Sequence, residues 1–449
     1  MINNRLYLNR RVKICLCIIA LVLSFTFLEL SVDTAELDDA YWVIYNGIYN
    51  MSESIDVSEC KLDVKGLSVV LNKVLKASPY MFYVDGGLSF TKDTSGYIKI
   101  VMPRYNMDKY ERSQAEKYIK GEIEKILFYA PVDLDGFGYA LYFHDYICTH
   151  FEYDDSLESN DLYSMLKNGN GTCQGYAYLY SALLTSVGVE NDFAYSDKIK
   201  HIWNIVNVGD EWYHVDVTWD DTEKNFGYAS HKNFLCSDVE IQELGHTEAL
   251  KFENVICNSE KYGGEYLNYV NTAFSYLDGN WYVSDNSAGV RAIVKYDFTS
   301  GEWEKVWDIS GYWQFDDNRF YANCFSSVAN LGGYIYFNYK NKLLRFDGDT
   351  AEEIYTAPEG EQLCFATATY GKIYMSLLGS NDTVAVDISP NGDVNGDKIT
   401  DICDIIELSI SVDNGTLVKN PFGADISKNE ELDLDDVKAL REILLGLSH

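Results

Sequence analysis

The stretch His201-Ile-Trp-Asn-Ile-Val-Asn-Val-Gly-Asp-Glu-Trp-Tyr-His-Val-Asp-Val-Thr-Trp-Asp220 constrains this chain more than any other. Two runs of β-branched and aromatic residues flank Gly209-Asp210, a pair that accepts the positive φ of a tight turn, so the stretch reads as a β-hairpin. With those two as turn residues, Val208 faces Glu211 and paired residue numbers sum to 419, which sets Trp203 opposite Asp216. Side chains alternate across a strand, so His201 shares a face with Trp203 and becomes the diagonal neighbour of Asp216. Turn arithmetic alone therefore brings an imidazole beside a carboxylate that can orient it. His214 has the parity of Asp216 but lies in the second strand. Trp203, Trp212 and Trp219 read as hairpin packing rather than as platforms for a substrate.

Upstream, Gly169-Asn-Gly-Thr-Cys-Gln-Gly175 is a glycine-rich loop running into a helix. Ala177, Tyr180, Ser181, Leu184 and Val187 keep 3–4 spacing, and Gly188 can cap the end. Cys173 then stands at the helix N-terminus, where the helix dipole and free N–H groups favour a thiolate. A thiolate needs a base, and the base needs a partner that fixes its tautomer. Cys173, His201 and Asp216 supply these roles. The plain alternative for Cys173 is a small buried core residue.

In this order, Gly171-Thr-Cys173-Gln-Gly-Tyr-Ala, His201-x-Trp-Asn and Trp212-Tyr-His-Val-Asp216-Val-Thr-Trp-Asp resemble the three core motifs of the transglutaminase-like superfamily, which has a papain-like fold. Phe143-His-Asp-Tyr, Tyr153-Asp-Asp and Tyr80-Met-Phe-Tyr-Val-Asp85 are also similar to secreted bacterial members. The resemblance spans residues 70–245. It implies that Cys173 is the nucleophile, His201 the base and Asp216 the orienting carboxylate of acyl transfer through a thioester, with no cofactor for catalysis. Hydrolysis, deamidation and cross-linking all use this triad. His144, His150 and His231 have no motif support, and no upstream residue matches an oxyanion-hole donor.

With 36 basic against 69 acidic residues, the net charge of −33 argues against nucleic acid as a partner, since phosphate neutralisation needs clustered Lys and Arg. Arg5, Arg10, Arg11 and Lys13 precede an apolar run from Ile14 to Leu28, the pattern of a secretory signal over residues 1–35; contact with a membrane is expected only if this segment stays uncleaved. The eight cysteines beyond it, Cys60, Cys148, Cys173, Cys236, Cys257, Cys324, Cys364 and Cys403, show no C-x-x-C zinc pattern and are too sparse for a disulfide scaffold.

Residues 36–130 read as an α+β accessory domain with strand-like segments at Tyr80–Val84, Ser89–Thr91 and Tyr97–Met102 and a helix at Arg112–Leu127; the catalytic unit occupies 131–250. From 258 to 390 the pattern turns all-β. There Gly279-Asn-Trp-Tyr, Gly333-Tyr-Ile-Tyr and Gly371-Lys-Ile-Tyr each start a strand, at irregular spacings of 54 and 38 residues. The repeats are propeller-like, yet about 130 residues supply three blades, short of the roughly four needed to close.

The last stretch, 391–449, is acidic. Asp393, Asn395, Asp397, Asp401 and Asp404 fall at positions 1, 3, 5, 9 and 12 of a loop, and Asp425, Ser427, Asn429, Asp433 and Asp436 repeat that spacing 32 residues on. A hard cation wants six to eight oxygens, and alternate residues of a tight turn can aim them inward. Each loop precedes an apolar helical run, at Ile405–Val412 and Val437–Leu445. Position six, glycine in an EF-hand, is Lys398 in one loop and Glu430 in the other. The duplicated loop and helix resemble a type I dockerin, which implies two calcium ions, a small all-α fold coupled to metal, and docking on the cohesin domain of a scaffolding protein in a cellulosome-type complex. Positions ten and eleven, which face cohesins in that family, are Ile402-Cys403 and Leu434-Asp435.

The resulting expectation is a multidomain chain with a papain-like α+β core, a β-rich propeller-like region and a calcium-binding dockerin. It would be secreted and extracellular, attached to a cellulosome or the cell surface, and would act as a transglutaminase-like cysteine peptidase or acyltransferase on a protein or peptide substrate. The rival expectation is a non-catalytic assembly or a carbohydrate- or protein-binding component of the same complex. Such complexes mostly degrade plant polysaccharide, but no paired carboxylates of a glycosidase motif stand out.

Overall fold

The computed structural model describes residues 34–221, 228–252, 255–262, 265–316, 319–322, 325–369, 371–380 and 382–447; the apolar run of the expected signal and Cys324 lie outside these. Helices α1 (Thr34–Tyr49) and α2 (Val64–Lys76) pack beside a three-stranded antiparallel sheet, in which β3 (Ile98–Tyr105) lies between β1 (Ile55–Asp56) and β2 (Val84–Lys92). Asp63 caps α2. Helix α3 (Lys109–Tyr129) opens on a capping box of Asp108 and Glu111 and buries Ala115, Ile119, Ile123 and Ile126, one apolar stripe at helical spacing. The strand expected at Tyr80–Val84 is instead a turn up to Tyr83, closed by Met81 N–H to Ser78 O and Val84 N–H to Met81 O. Its aromatic residues serve burial rather than pairing: Phe82 and Tyr83 are in the core, with the Arg112 guanidinium 4.2 Å from the Tyr83 ring centre.

Helix α4 (Gly136–His150), the short α5 (Leu162–Asn168) and α6 (Cys173–Ser186) come next, with a two-residue parallel pairing between β4 (Glu152–Tyr153) and β5 (Asn170–Gly171). Every α6 residue from Gly175 to Leu184 is buried, so this helix runs through the core. It ends at Gly188, in the left-handed region at φ 82°, where Val189 N–H reaches Leu184 O and Gly188 N–H reaches Thr185 O. Against it lies an antiparallel sheet ordered β8 (Glu211–Val215), β7 (His201–Val208), β6 (Asn191–Ser196), β9 (Leu250–Lys251). Val208 pairs with Glu211 and Asn204 with Val215, and Gly209 and Asp210 both have positive φ, so the hairpin register follows from its turn. The second strand stops at Val215, earlier than a hairpin running to Asp220 would; Asp216 leaves the ladder to cap helix α7 (Val217–Asp220). One apolar cluster continues from Ala40 on α1 to Val294.

Beyond helices α8 (Asp238–Glu243) and α9 (Glu265–Tyr269) the chain is all strand from Ser275 to Asp387. Among the described residues it forms three antiparallel meanders, of four, four and three strands, and a separate two-stranded ribbon, Tyr312–Asp316 with Arg319–Ala322. The three Gly-x-x-Tyr repeats all begin the second strand of a meander, at Asn280, Tyr334 and Lys372. Gly279, Gly333 and Gly371 have φ of 80°, 79° and 74°, so the weak repeat marks one recurring hairpin turn.

The C-terminal part holds α10 (Ile402–Asn414), α11 (Pro421–Ala424) and α12 (Leu434–Leu444) around a small core of Val394, Leu408, Val418, Ala424 and Leu440. Phe422 on α11 leaves that core and packs among the strands and against Tyr129 of α3. A Cβ on Gly332 would come within 2.7 Å of its ring. No helix among the described residues is long and apolar enough to cross a membrane.

Candidate active site

Cys173 is the first residue of α6, half-buried, and the preceding Thr172 makes no side-chain cap. The opening amides of the helix are therefore left to face whatever lies beside the thiol. Two glycines of the motif act through space rather than through φ. A Cβ on Gly171 would stand 2.8 Å from Met165 Sδ and one on Gly175 3.0 Å from the same atom, so both allow α6 to seat on α5. Cys148, Cys236 and Cys257 are buried thiols, and burial pushes their proton affinity up, in Cys257 to about 12.

His201 opens β7 and donates from Nε2 to Asp216 Oδ2 at 2.6 Å, the contact expected from the hairpin arithmetic. Burial works against a charged His201, but the Asp216 charge and hydrogen bond prevail, aided by Cys173, and hold it at about 10. Asp216 is fully buried, which opposes ionisation, yet its two histidine partners keep it at about 2. Its other oxygen accepts the Thr218 and Trp219 N–H groups at 3.1 and 3.2 Å. Capping α7 thus pins the carboxylate while it orients the imidazole.

The second histidine is His246, which sequence reasoning missed. Buried on the loop after α8, it donates from Nε2 to the same Asp216 Oδ2 at 2.6 Å. Trp219 also departs from expectation. It lies on α7 rather than on the hairpin, is 41% exposed, and its ring stacks 5.2 Å from His201 and packs 4.1 Å from His246. Trp203 does pack the hairpin, fully buried. Tyr153 is a half-exposed phenol whose proton affinity is raised, chiefly by burial.

The remaining histidines among the described residues serve the fold. His214 Nδ1 accepts from Trp203 Nε1 at 2.9 Å, so its Nε2 carries the proton donated to Asp238 at 2.8 Å. Burial lowers its proton affinity. His144 and His231 both contact Asp145 Oδ1, at 2.8 and 2.9 Å, and His144 also reaches Asp220 at 3.3 Å. Burial opposes charging of His144, but these carboxylates hold it at about 9. Asp145 further accepts the Phe274 N–H at 2.6 Å, tying α4 to the first meander, and His150 joins α4 to Ala368 O at 2.9 Å. Three clusters, His144 with Asp145 and His231, His201 with Asp216 and His246, and His214 with Asp238 and Cys257, bring ligand atoms within 4.8 Å of one another. The first two spend those atoms on mutual hydrogen bonds; in the last, His214 bonds Asp238, and the Lys251 ammonium reaches Asp238 at 2.7 Å and Cys257 Sγ at 3.8 Å.

In the acidic loops, Asp401 and Asp433 are the N-caps of α10 and α12, and Asp404 and Asp436 complete their capping boxes. Positions 9 and 12 are thus the first turn of each helix. Asp393 accepts the Gly396, Asp397 and Lys398 amides, and Asp425 those of Asn429 and Glu430. Lys398 and Glu430 have φ of 69° and 64°, so position six keeps the left-handed turn without glycine. Asn395, Asp397, Ser427 and Asn429 lie on the outer arm of the loops, half or fully exposed.

A thiol stands at a helix N-terminus with an imidazole beside it and a carboxylate behind the imidazole, an arrangement suited to a cysteine nucleophile. Residues 133–217, which contain all three groups, match the family model of the transglutaminase-like superfamily, so the chain carries a domain of that superfamily. No curated protein matches by sequence. Among solved structures, a candidate cysteine protease from Cytophaga hutchinsonii is 12% identical, over 37% of this chain and 71% of its own, with a TM-score of 0.20. A TGase is 11% identical, over 37% of this chain and 50% of its own, also at 0.20. At those scores neither superposition carries weight beside the family match and the site.

Proposed function

We propose that this chain is a cysteine-dependent acyl-transfer enzyme acting on protein or peptide amides, secreted and attached through a calcium-loaded dockerin to a cohesin-bearing scaffold. The observation that carries the catalytic part is the 2.6 Å bond from His201 to Asp216 with Cys173 at the head of α6 beside it, inside a transglutaminase-like domain. His201 takes the thiol proton as sulfur attacks the amide carbonyl, and the opening amides of α6 stabilise the oxyanion. The C–N bond then breaks, His201 returns the proton to the leaving nitrogen, and a thioester remains. Water or an amine opens it and restores the thiol.

For the acidic part, the loop donors suit a hard cation. Asp393 and Asp425 are held above the ordinary carboxylate range, first by burial and then by neighbouring carboxylates, a repulsion that a cation relieves. Calcium would be held by Asp393, Asn395, Asp397, Asp401 and Asp404, and by Asp425, Ser427, Asn429, Asp433 and Asp436. Support for a protein partner comes from α10, whose Ile402, Ile406 and Ile410 are each more than half exposed at one-turn intervals. The basic-then-apolar N-terminal run supports the extracellular location, and the three meanders, each of blade size, support a propeller-like platform beside the catalytic domain.

Labelling the full chain with iodoacetamide tests the catalytic reading. Cys173 is expected to react faster than exposed Cys403, and His201→Ala to slow it; equal rates at both thiols in both proteins reject the reading. A protein and peptide screen scoring ammonia release and cleavage separately assigns the acceptor. Binding to a cohesin panel, lost on chelation and on Ile406→Asp, tests the dockerin reading, and binding indifferent to both rejects it.

A further inference from the structure

Asp216 Oδ2 receives two imidazoles at the same distance, His201 at 2.6 Å and His246 at 2.6 Å. A triad requires only the first. We propose that His246 is a positioning residue of this site: by donating to the oxygen that also receives His201, it fixes the carboxylate and limits how tightly that carboxylate holds the His201 proton. The proposal rests on the reading of Cys173 as nucleophile.

The loop is built to deliver this ring. Helix α8 ends at Leu244, Gly245 turns the chain at φ 113°, and the His246 backbone N–H returns to Ile241 O at 3.1 Å. The ring's own Nδ1 points at the same carbonyl, at 3.2 Å, so both nitrogens face acceptors. Its faces are taken by Trp219, 4.1 Å away, and by the edge of Trp203, 4.7 Å away. A fully buried imidazole with no freedom to turn can serve only the oxygen it faces.

One carboxylate oxygen shared between two N–H donors binds each more weakly than it would bind either alone. Titratable groups from several elements lie around His246. Asp216 accepts from it, His201 shares the same oxygen, and Asp238, the partner of His214 on β8, starts α8; Glu240 of that helix is spent on its capping box. Taking His246 away leaves the whole of Oδ2 to His201 and removes a competing donor. His201 should then hold its proton to higher pH and surrender it less readily.

The experiment uses the full chain and iodoacetamide, with the rate of Cys173 alkylation followed from pH 5 to 11 by mass spectrometry. His246→Phe keeps a ring against Trp219 but donates nothing; His246→Gln can keep one N–H toward Asp216. The inflection assigned to His201 is expected to move up by about one pH unit in the first variant and by less in the second. A role in packing alone would lower the melting temperature without moving that inflection. An unchanged inflection in folded His246→Phe, with Cys173 still the fast thiol, overturns the proposal. Loss of preferential Cys173 labelling in the wild-type chain would instead reject the nucleophile reading on which it rests.

Discussion

Replacing Asp216 by Asn tests the site most directly, because an amide keeps the shape of the carboxylate and removes its charge. His201 stands at about 10 in the wild-type chain, where burial alone would carry it below its ordinary 6.5. With the charge gone, the second tendency wins, so its titration should fall by more than about three pH units, roughly a thousandfold in proton affinity. For stability, the displacement of Asp216 from 3.8 to about 2 corresponds to about 2 kcal/mol. The same contact judged from His201 gives about 5 kcal/mol, but Cys173 adds to that figure, so the carboxylate side sets the magnitude. A raised histidine stabilises fully below 6.5 and loses its contribution as pH rises through about 10. A depressed carboxylate stabilises fully above 3.8 and loses its contribution as pH falls through about 2. Wild type and variant should therefore differ most between pH 3.8 and 6.5, in urea unfolding followed by tryptophan fluorescence. The His201 titration itself is read from the Cε1–H resonance. A resonance that still titrates near 10 in Asp216→Asn would refute the electrostatic account of the triad.

Gly171→Ala should cost about 1–3 kcal/mol by pushing Met165 out of its fully buried seat, read as a lower midpoint in urea. A midpoint equal to wild type would mean that the contact between β5 and α5 is looser than the distances state. Phe422→Ala removes the ring that the C-terminal module buries against Tyr129 and the meanders, a loss of about 3–5 kcal/mol of local packing. Limited proteolysis should then cut between Ile388 and Asp393 far faster than in wild type, and an unchanged digestion pattern would count against the docking. Calcium should raise the melting temperature more at pH 7.5 than at pH 4.5, because Asp393 and Asp425 are held above the usual carboxylate range and bind a cation only when ionised. An equal rise at both pH values would argue against these two as ligands.

What the sequence determined by itself lies within one turn or one hairpin of the residues that encode it. Gly209-Asp210 sets the register that brings His201 to Asp216, Gly188 closes the fourteen-residue helix α6 that starts at Cys173, and the Gly-x-x-Tyr repeats mark equivalent turns in three meanders. These are short-range steric facts, readable because a backbone at positive φ or a strand of period two permits few alternatives. Tertiary structure decided the rest. His246 lies thirty residues beyond Asp216, on a loop whose only sequence signal is a helix stop at Leu244-Gly245, and nothing local says which carboxylate it will find. Asp145 is joined to His231 and Phe274 across 86 and 129 residues, and the aromatic run at Tyr80–Tyr83 turned into the core when pattern alone favoured a strand. Buried polar groups must find partners wherever the packed chain offers them, so the pairing of these side chains became fixed only when distant elements closed around them.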